Sequence, residues 1–84
     1  MDDINTHKLI LHNDDSNTFP YVMACLFSLC KHQPAQAEQC ALITHLKGKC
    51  PIKHGNYMDL LELSTDLTNL DLKVSIEEDE SSVY

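Results

Sequence analysis

Residues 7–17 read His7-Lys8-Leu9-Ile10-Leu11-His12-Asn13-Asp14-Asp15-Ser16-Asn17, and this stretch decides the fold. The apolar run between its two histidines is a strand. The polar run that follows breaks it, because Asn, Asp and Ser side chains hydrogen-bond to nearby backbone and favour turns. Asn17 or Thr18 can cap the next element, and Pro20 falls in a first helical turn, where a missing N–H is harmless. Phe19, Val22, Met23, Leu26, Phe27 and Cys30 then recur at intervals of three and four, which marks a helix with one buried stripe.

Outward from there, Lys31-His32-Gln33 is a polar end and Pro34 starts a second helix. Ala37, Cys40, Ala41 and Thr44 lie along one of its faces, and Gly48 sits where a left-handed C-terminal cap falls. Lys49–His54 is extended in character. Its Pro51 cannot donate to a ladder, so the strand belongs at a sheet edge. After Gly55-Asn56, Tyr57–Asn69 reads as a third helix through Leu60, Leu61, Leu63, Ser64 and Leu67, and Leu72–Ile76 alternates with the period of a strand. The order β-α-α-β-α-β predicts an α+β fold, with three helices packed on one face of a small three-stranded antiparallel sheet. Residues 7–77 form the domain, between a short flexible arm (1–6) and an acidic disordered tail (78–84).

Charge excludes several classes of function. The 84 residues carry a net charge of −7, with six basic side chains that are all lysines, so nucleic acid is not an expected partner. No stretch approaches the ~20 apolar residues of a membrane span, and Asp2 and Asp3 are unlike the start of a signal peptide. The expected location is therefore the cytoplasm, where Cys25, Cys30, Cys40 and Cys50 stay reduced. Their spacing contains no CxxC pair and they share helix faces with apolar residues, so they read as small core residues rather than metal ligands. No cofactor is expected. Asp14, Asp15 and His45 could in principle serve a cysteine nucleophile, but no cysteine neighbours His45 and no glycine-rich loop offers an oxyanion hole. An enzyme is not the expected reading.

The remaining polar constellation suits a cation. Asn13 and Asp14 offer acceptor oxygens and a neutral His45 offers an acceptor nitrogen; together they form a cup for an ammonium group, which only donates. The Asn13-Asp14-Asp15 run and the His45-Leu46-Lys47-Gly48 helix end, in this order and spacing, resemble the ClpS family, adaptors that hand N-degron substrates to the Clp protease. The resemblance runs from about His7 to Glu77. It implies that Asn13, Asp14 and His45 hold a substrate's free α-amino group, that Asp15 shapes the turn, and that Phe19, Val22, Ala41, Thr44 and Leu72 line a pocket for a bulky apolar first residue. Phe19, Ala41 and Thr44 stand where the family usually has Met, Met and Val, which implies a wider and partly polar pocket. Asn17 replaces a common Thr with capping ability kept. The implied partners are N-degron polypeptides and a ClpA- or ClpC-type unfoldase. The arm and the segment between Gly48 and Leu72 are shorter than in familiar members, so delivery is less supported than binding. The alternative is a small protein–protein interaction module that keeps this fold without binding N-degrons.

Overall fold

The computed structural model describes residues 6–79. In chain order the elements are β1 (His7–His12), α1 (Phe19–Leu29), α2 (Pro34–Lys47), β2 (Lys49–Gly55), α3 (Tyr57–Asn69) and β3 (Lys73–Glu78). The sheet is antiparallel throughout, in the order β2-β1-β3. β1 is central because it is the most apolar strand, with Leu9, Ile10 and Leu11 all buried. β2 takes the edge, as Pro51 requires. Its register against β1 shifts between Leu9 and Ile10, leaving Ile52 as an extra residue.

The alternation of β1 sends Leu9 and Leu11 to the face covered by the helices. There they join Cys25, Leu26 and Cys30 of α1, Ala37 and Cys40 of α2, and Leu60 and Leu67 of α3 in one core. α2 packs over β2 and α3 over β3 and β1, while α1 makes its main contacts with those two helices. Thr18 is the α1 cap: its hydroxyl accepts from the Tyr21 N–H at 3.3 Å. Asn56 caps α3 by accepting from the Asp59 N–H at 2.9 Å.

Three sequence expectations change. The tail boundary moves, because β3 continues through Glu78 and the Asp79 N–H donates to the Thr6 carbonyl at 3.0 Å. Asp79 is buried, with its carboxylate 3.4 Å from His54 Nε2. The folded unit therefore includes Thr6, Glu78 and Asp79; residues 1–5 of the expected arm and 80–84 of the expected tail lie outside the described residues. Phe27 leaves the buried stripe and is 55% exposed, because the face of α1 that enters the core is the one carrying Cys25, Leu26 and Cys30. His32, read as part of a polar end, is buried and bonded to the Ile52 carbonyl.

Gly48 ends α2 in the left-handed conformation, with φ at 93°, and its N–H donates to the Thr44 carbonyl. A Cβ placed there would meet nothing within 4 Å, so a substitution is opposed by backbone conformation alone. Gly48→Ala is expected to cost about 1–2 kcal/mol, or a melting temperature lower by roughly 4–16 °C for a domain of this size. An unchanged melting temperature would show that the cap tolerates a side chain.

The four cysteines are free and buried. Desolvation pushes the Cys30 thiol up to about 11 and the Cys40 thiol up to about 12, with Cys50 beside Cys40 adding to the second shift. Unfolded thiols ionise near the ordinary value of 9.0, whereas these folded thiols do not. Their contribution to stability is thus intact below that value and declines as pH rises from there toward 11 and 12. Mildly alkaline thiol labelling of Cys30 and Cys40 is expected to proceed at the rate of unfolding. Prompt labelling of either in the native protein would contradict the assignment.

Candidate functional site

The polar turn after β1 and the C-terminal end of α2 meet through one backbone bond. The Asn13 N–H donates to the Gly48 carbonyl at 2.9 Å, which joins the end of the central strand to the α2 cap. The thirteenth and forty-fifth positions share a site because Gly48 reverses the chain and starts β2 beside β1.

The turn is held by Asp14. Its Oδ1 accepts from the Ser16 N–H at 3.1 Å and from the Ser16 hydroxyl at 2.7 Å, and its Oδ2 accepts from Asn17 Nδ2 at 3.2 Å. The Ser16 backbone bond, then the Ser16 hydroxyl, hold the Asp14 carboxyl below its ordinary value, with a smaller contribution from the Lys73 charge. Asn17 uses the same amide to reach the Asp71 carbonyl at 2.9 Å, linking the turn to the segment before β3. Asp71 itself has a positive φ of 70°. The side-chain bonds of the turn come from Asp14, while Asp15 occupies the turn itself, which the Asn17 N–H closes on the Asp14 carbonyl at 3.3 Å. Asp15 is exposed and borders the cavity.

Between these elements lies a cavity of about 220 Å³. Asn13, Asp14, Asp15, Asn17 and His45 supply its polar lining, and Phe19, Val22, Ala41, Thr44 and Leu72 the rest of its wall. Ten of the residues singled out from sequence thus border one space, and Gly48 stands just behind it as the acceptor for Asn13. Phe19, about one third exposed, stands edge-on to the His45 ring, with centroids 6.4 Å apart and planes at 81°. Ala41, Thr44 and Leu72 are buried. The Thr44 hydroxyl donates to the Cys40 carbonyl at 2.8 Å, so its proton is committed within the helix and the wall is less polar than Thr alone implies.

Leu11 and His12 also border the cavity and were not singled out from sequence. Their position immediately before Asn13 on β1 is the signal that was available. His12 Nε2 is 2.7 Å from the Ser75 hydroxyl, which ties this end of β1 to β3.

Over residues 2–75 the chain matches the family model described as the ATP-dependent Clp protease adaptor protein ClpS. The chain belongs to the ClpS family. ClpS proteins are adaptors of the Clp protease. Among solved structures it is similar to Agrobacterium tumefaciens ClpS2 bound to L-phenylalaninamide, with a TM-score of 0.84 and 16% identity over 89% of this chain and 98% of that one. That likeness establishes the shared ClpS fold. Comparison with curated proteins finds no match. Among the described residues no helix is long and apolar enough to cross a membrane.

Proposed function

We propose that the chain binds the free N-terminus of polypeptides whose first residue is bulky and apolar, and presents them to a Clp-family AAA+ unfoldase of ClpA or ClpC type. The observation that carries this reading is the convergence of Asn13, Asp14 and His45 on a cavity whose wall includes Phe19, Val22, Ala41, Thr44 and Leu72. An N-terminal residue has two parts, an ammonium that only donates and a side chain. The polar edge of the cavity supplies acceptors for the first and the apolar wall covers the second. L-Phenylalaninamide, the ligand of the Agrobacterium protein, is a molecule of that description.

The size of the cavity supports single-residue recognition. At about 220 Å³ it is smaller than the roughly 300–1,000 Å³ of pockets that enclose drug-sized ligands. Burying one large apolar side chain contributes roughly 1.5–3 kcal/mol, and each charge-assisted bond to the ammonium a similar amount. Recognition of a single residue through so few contacts is expected to reach micromolar rather than nanomolar affinity. Asn13 contributes its side-chain oxygen, Asp14 the negative charge, and His45 a ring nitrogen.

Calorimetric titration with peptides that differ only at residue one tests the reading. Phe- and Leu-starting peptides are expected to bind in the micromolar range and Gly-starting peptides far more weakly. Indifference to the first residue would favour the interaction module that keeps the fold without an N-degron site.

A pH series adds a second check. The low-lying Asp14 carboxyl stays anionic well below neutrality, so it does not lose its charge between about pH 7.5 and 5.5. The contribution of Asp14 is therefore expected to hold over that interval, so Asp14→Asn should weaken a Phe-starting peptide by the same factor at both ends, read by calorimetric titration with the fold checked by circular dichroism. A loss confined to the upper end would show that the carboxylate is not the charged partner throughout.

A further inference from the structure

At the opposite end of α2 from the cavity, a second cleft of about 290 Å³ is bordered by Lys31, His32, Gln36, Lys53 and His54. The chain has 13 acidic and six basic side chains, yet none of the described residues lining this cleft is a carboxylate. The acidic group recorded beside it is Asp79, 3.4 Å from His54.

Two independent features distinguish the cleft. His32 is only 3% exposed, with Nε2 donating to the Ile52 carbonyl at 2.7 Å, at the extra residue of the β2 bulge. Its Nδ1 is buried and has no hydrogen-bond partner in the protein. Native structures rarely leave such an atom unsatisfied. The second feature is the start of α2. Gln33 is the N-cap, but no side chain caps the helix, so the Gln36 N–H that a Ser or Asp cap would take has no such acceptor. The positive end of the helix dipole adds to the lysine charges there.

We propose that this cleft binds a phosphate-class oxyanion that carries a titratable proton. Lys31 and Lys53 balance its charge, the Gln36 N–H donates to one oxygen, and a second oxygen shares its proton with His32 Nδ1. Phosphate suits that last contact because a phosphoryl oxygen can carry a proton near neutral pH and so donate to a bare ring nitrogen. Lys31 and Gln36 are exposed side chains that border the cleft. Lys31 has a positive φ of 61°, a conformation that glycine holds at lower cost, in the turn that closes with the His32 N–H on the Leu26 carbonyl. Such backbone strain persists where something else holds it in place.

The test is an amide-shift titration of the whole chain by nuclear magnetic resonance, with inorganic phosphate and, separately, O-phosphoserine, against chloride at matched ionic strength. Phosphate is expected to give saturable shifts confined to residues 31–36 and 52–54, with sulfate weaker than phosphate at neutral pH. Competition by phosphoserine would identify a phosphorylated side chain as the source of the group, and its failure to compete would identify the free ion. Lys31→Gly relieves the left-handed backbone, so it is expected to raise the melting temperature while weakening phosphate about tenfold. Lys53→Ala, at an exposed position, is expected to weaken phosphate similarly with the melting temperature unchanged. Shifts that do not saturate, that chloride reproduces, or that survive both substitutions would overturn the proposal. Peptide binding at the first cavity is read separately in the same spectra, so the two sites stand or fall independently.

Discussion

Acetylating the α-amino group of a Phe-starting peptide is expected to abolish its binding. Acetylation removes the positive charge and two of the three N–H donors, leaving a single neutral N–H for the acceptors of Asn13, Asp14 and His45. Each acceptor lost from the protein side has a smaller effect. Asn13→Ala, Asp14→Ala and His45→Ala should each cost on the order of 1.5–3 kcal/mol, a ten- to over a hundredfold weakening. The three differ in their effect on the fold. Asp14 holds the turn through Ser16 and Asn17, so Asp14→Ala should also lower the melting temperature, whereas Asp14→Asn keeps an acceptor for Ser16 and loses the charge. Comparing these two variants separates loss of the ammonium contact from loss of the turn. Equal affinity for free and acetylated peptides would refute the cup.

Replacing Ala41 with Met is expected to convert the preference at residue one. Ala41 is buried on the wall of the cavity, so the added atoms of Ala41→Met project into the space that a ligand side chain would fill. With the wall as it stands, aromatic first residues should bind at least as tightly as Leu. Phe19 can make edge or stacked contacts with them worth ~0.5–1.5 kcal/mol beyond area burial. Val and Ile should bind far more weakly, since a short β-branched side chain leaves part of the cavity empty. Ala41→Met should lower affinity for Phe, Tyr and Trp and leave smaller side chains less affected. The alternative, that the methionine overpacks the core, would show as a loss of about 1–3 kcal/mol of stability with no change in preference. If Ile binds as well as Phe to the unaltered chain, these residues do not form the side-chain pocket.

Local chemistry decided most of the fold in advance. The bounds of β1 and α3 and the cap at Gly48 follow from apolar runs bounded by turn formers, and Pro51 consigned β2 to the edge through its missing N–H. Asn13, Asp14 and His45 were legible for the same reason, since the Asn13 turn and the His45 helix end are short patterns at element boundaries, whereas the wall residues followed from the resemblance to the ClpS family. What periodicity could not supply was the direction each face takes once the helices meet. Phe27 repeats at helical spacing with Met23 and Cys30, yet it points away because α1 turns Cys25, Leu26 and Cys30 toward its neighbours. Asp14 and Asp15 are interchangeable in composition, and only the turn geometry assigns the Ser16 and Asn17 bonds to the first. His32 is polar by sequence, and the β2 bulge that exposes the Ile52 carbonyl to its ring is a long-range pairing. The sequence by itself therefore determined which segments are strands and helices, because hydrophobic period, caps and proline act within a few residues of each other. Tertiary structure alone decided which of two adjacent carboxylates makes the side-chain bonds of the turn, and that His32 is buried beside the second cleft, because those depend on packing between elements distant along the chain.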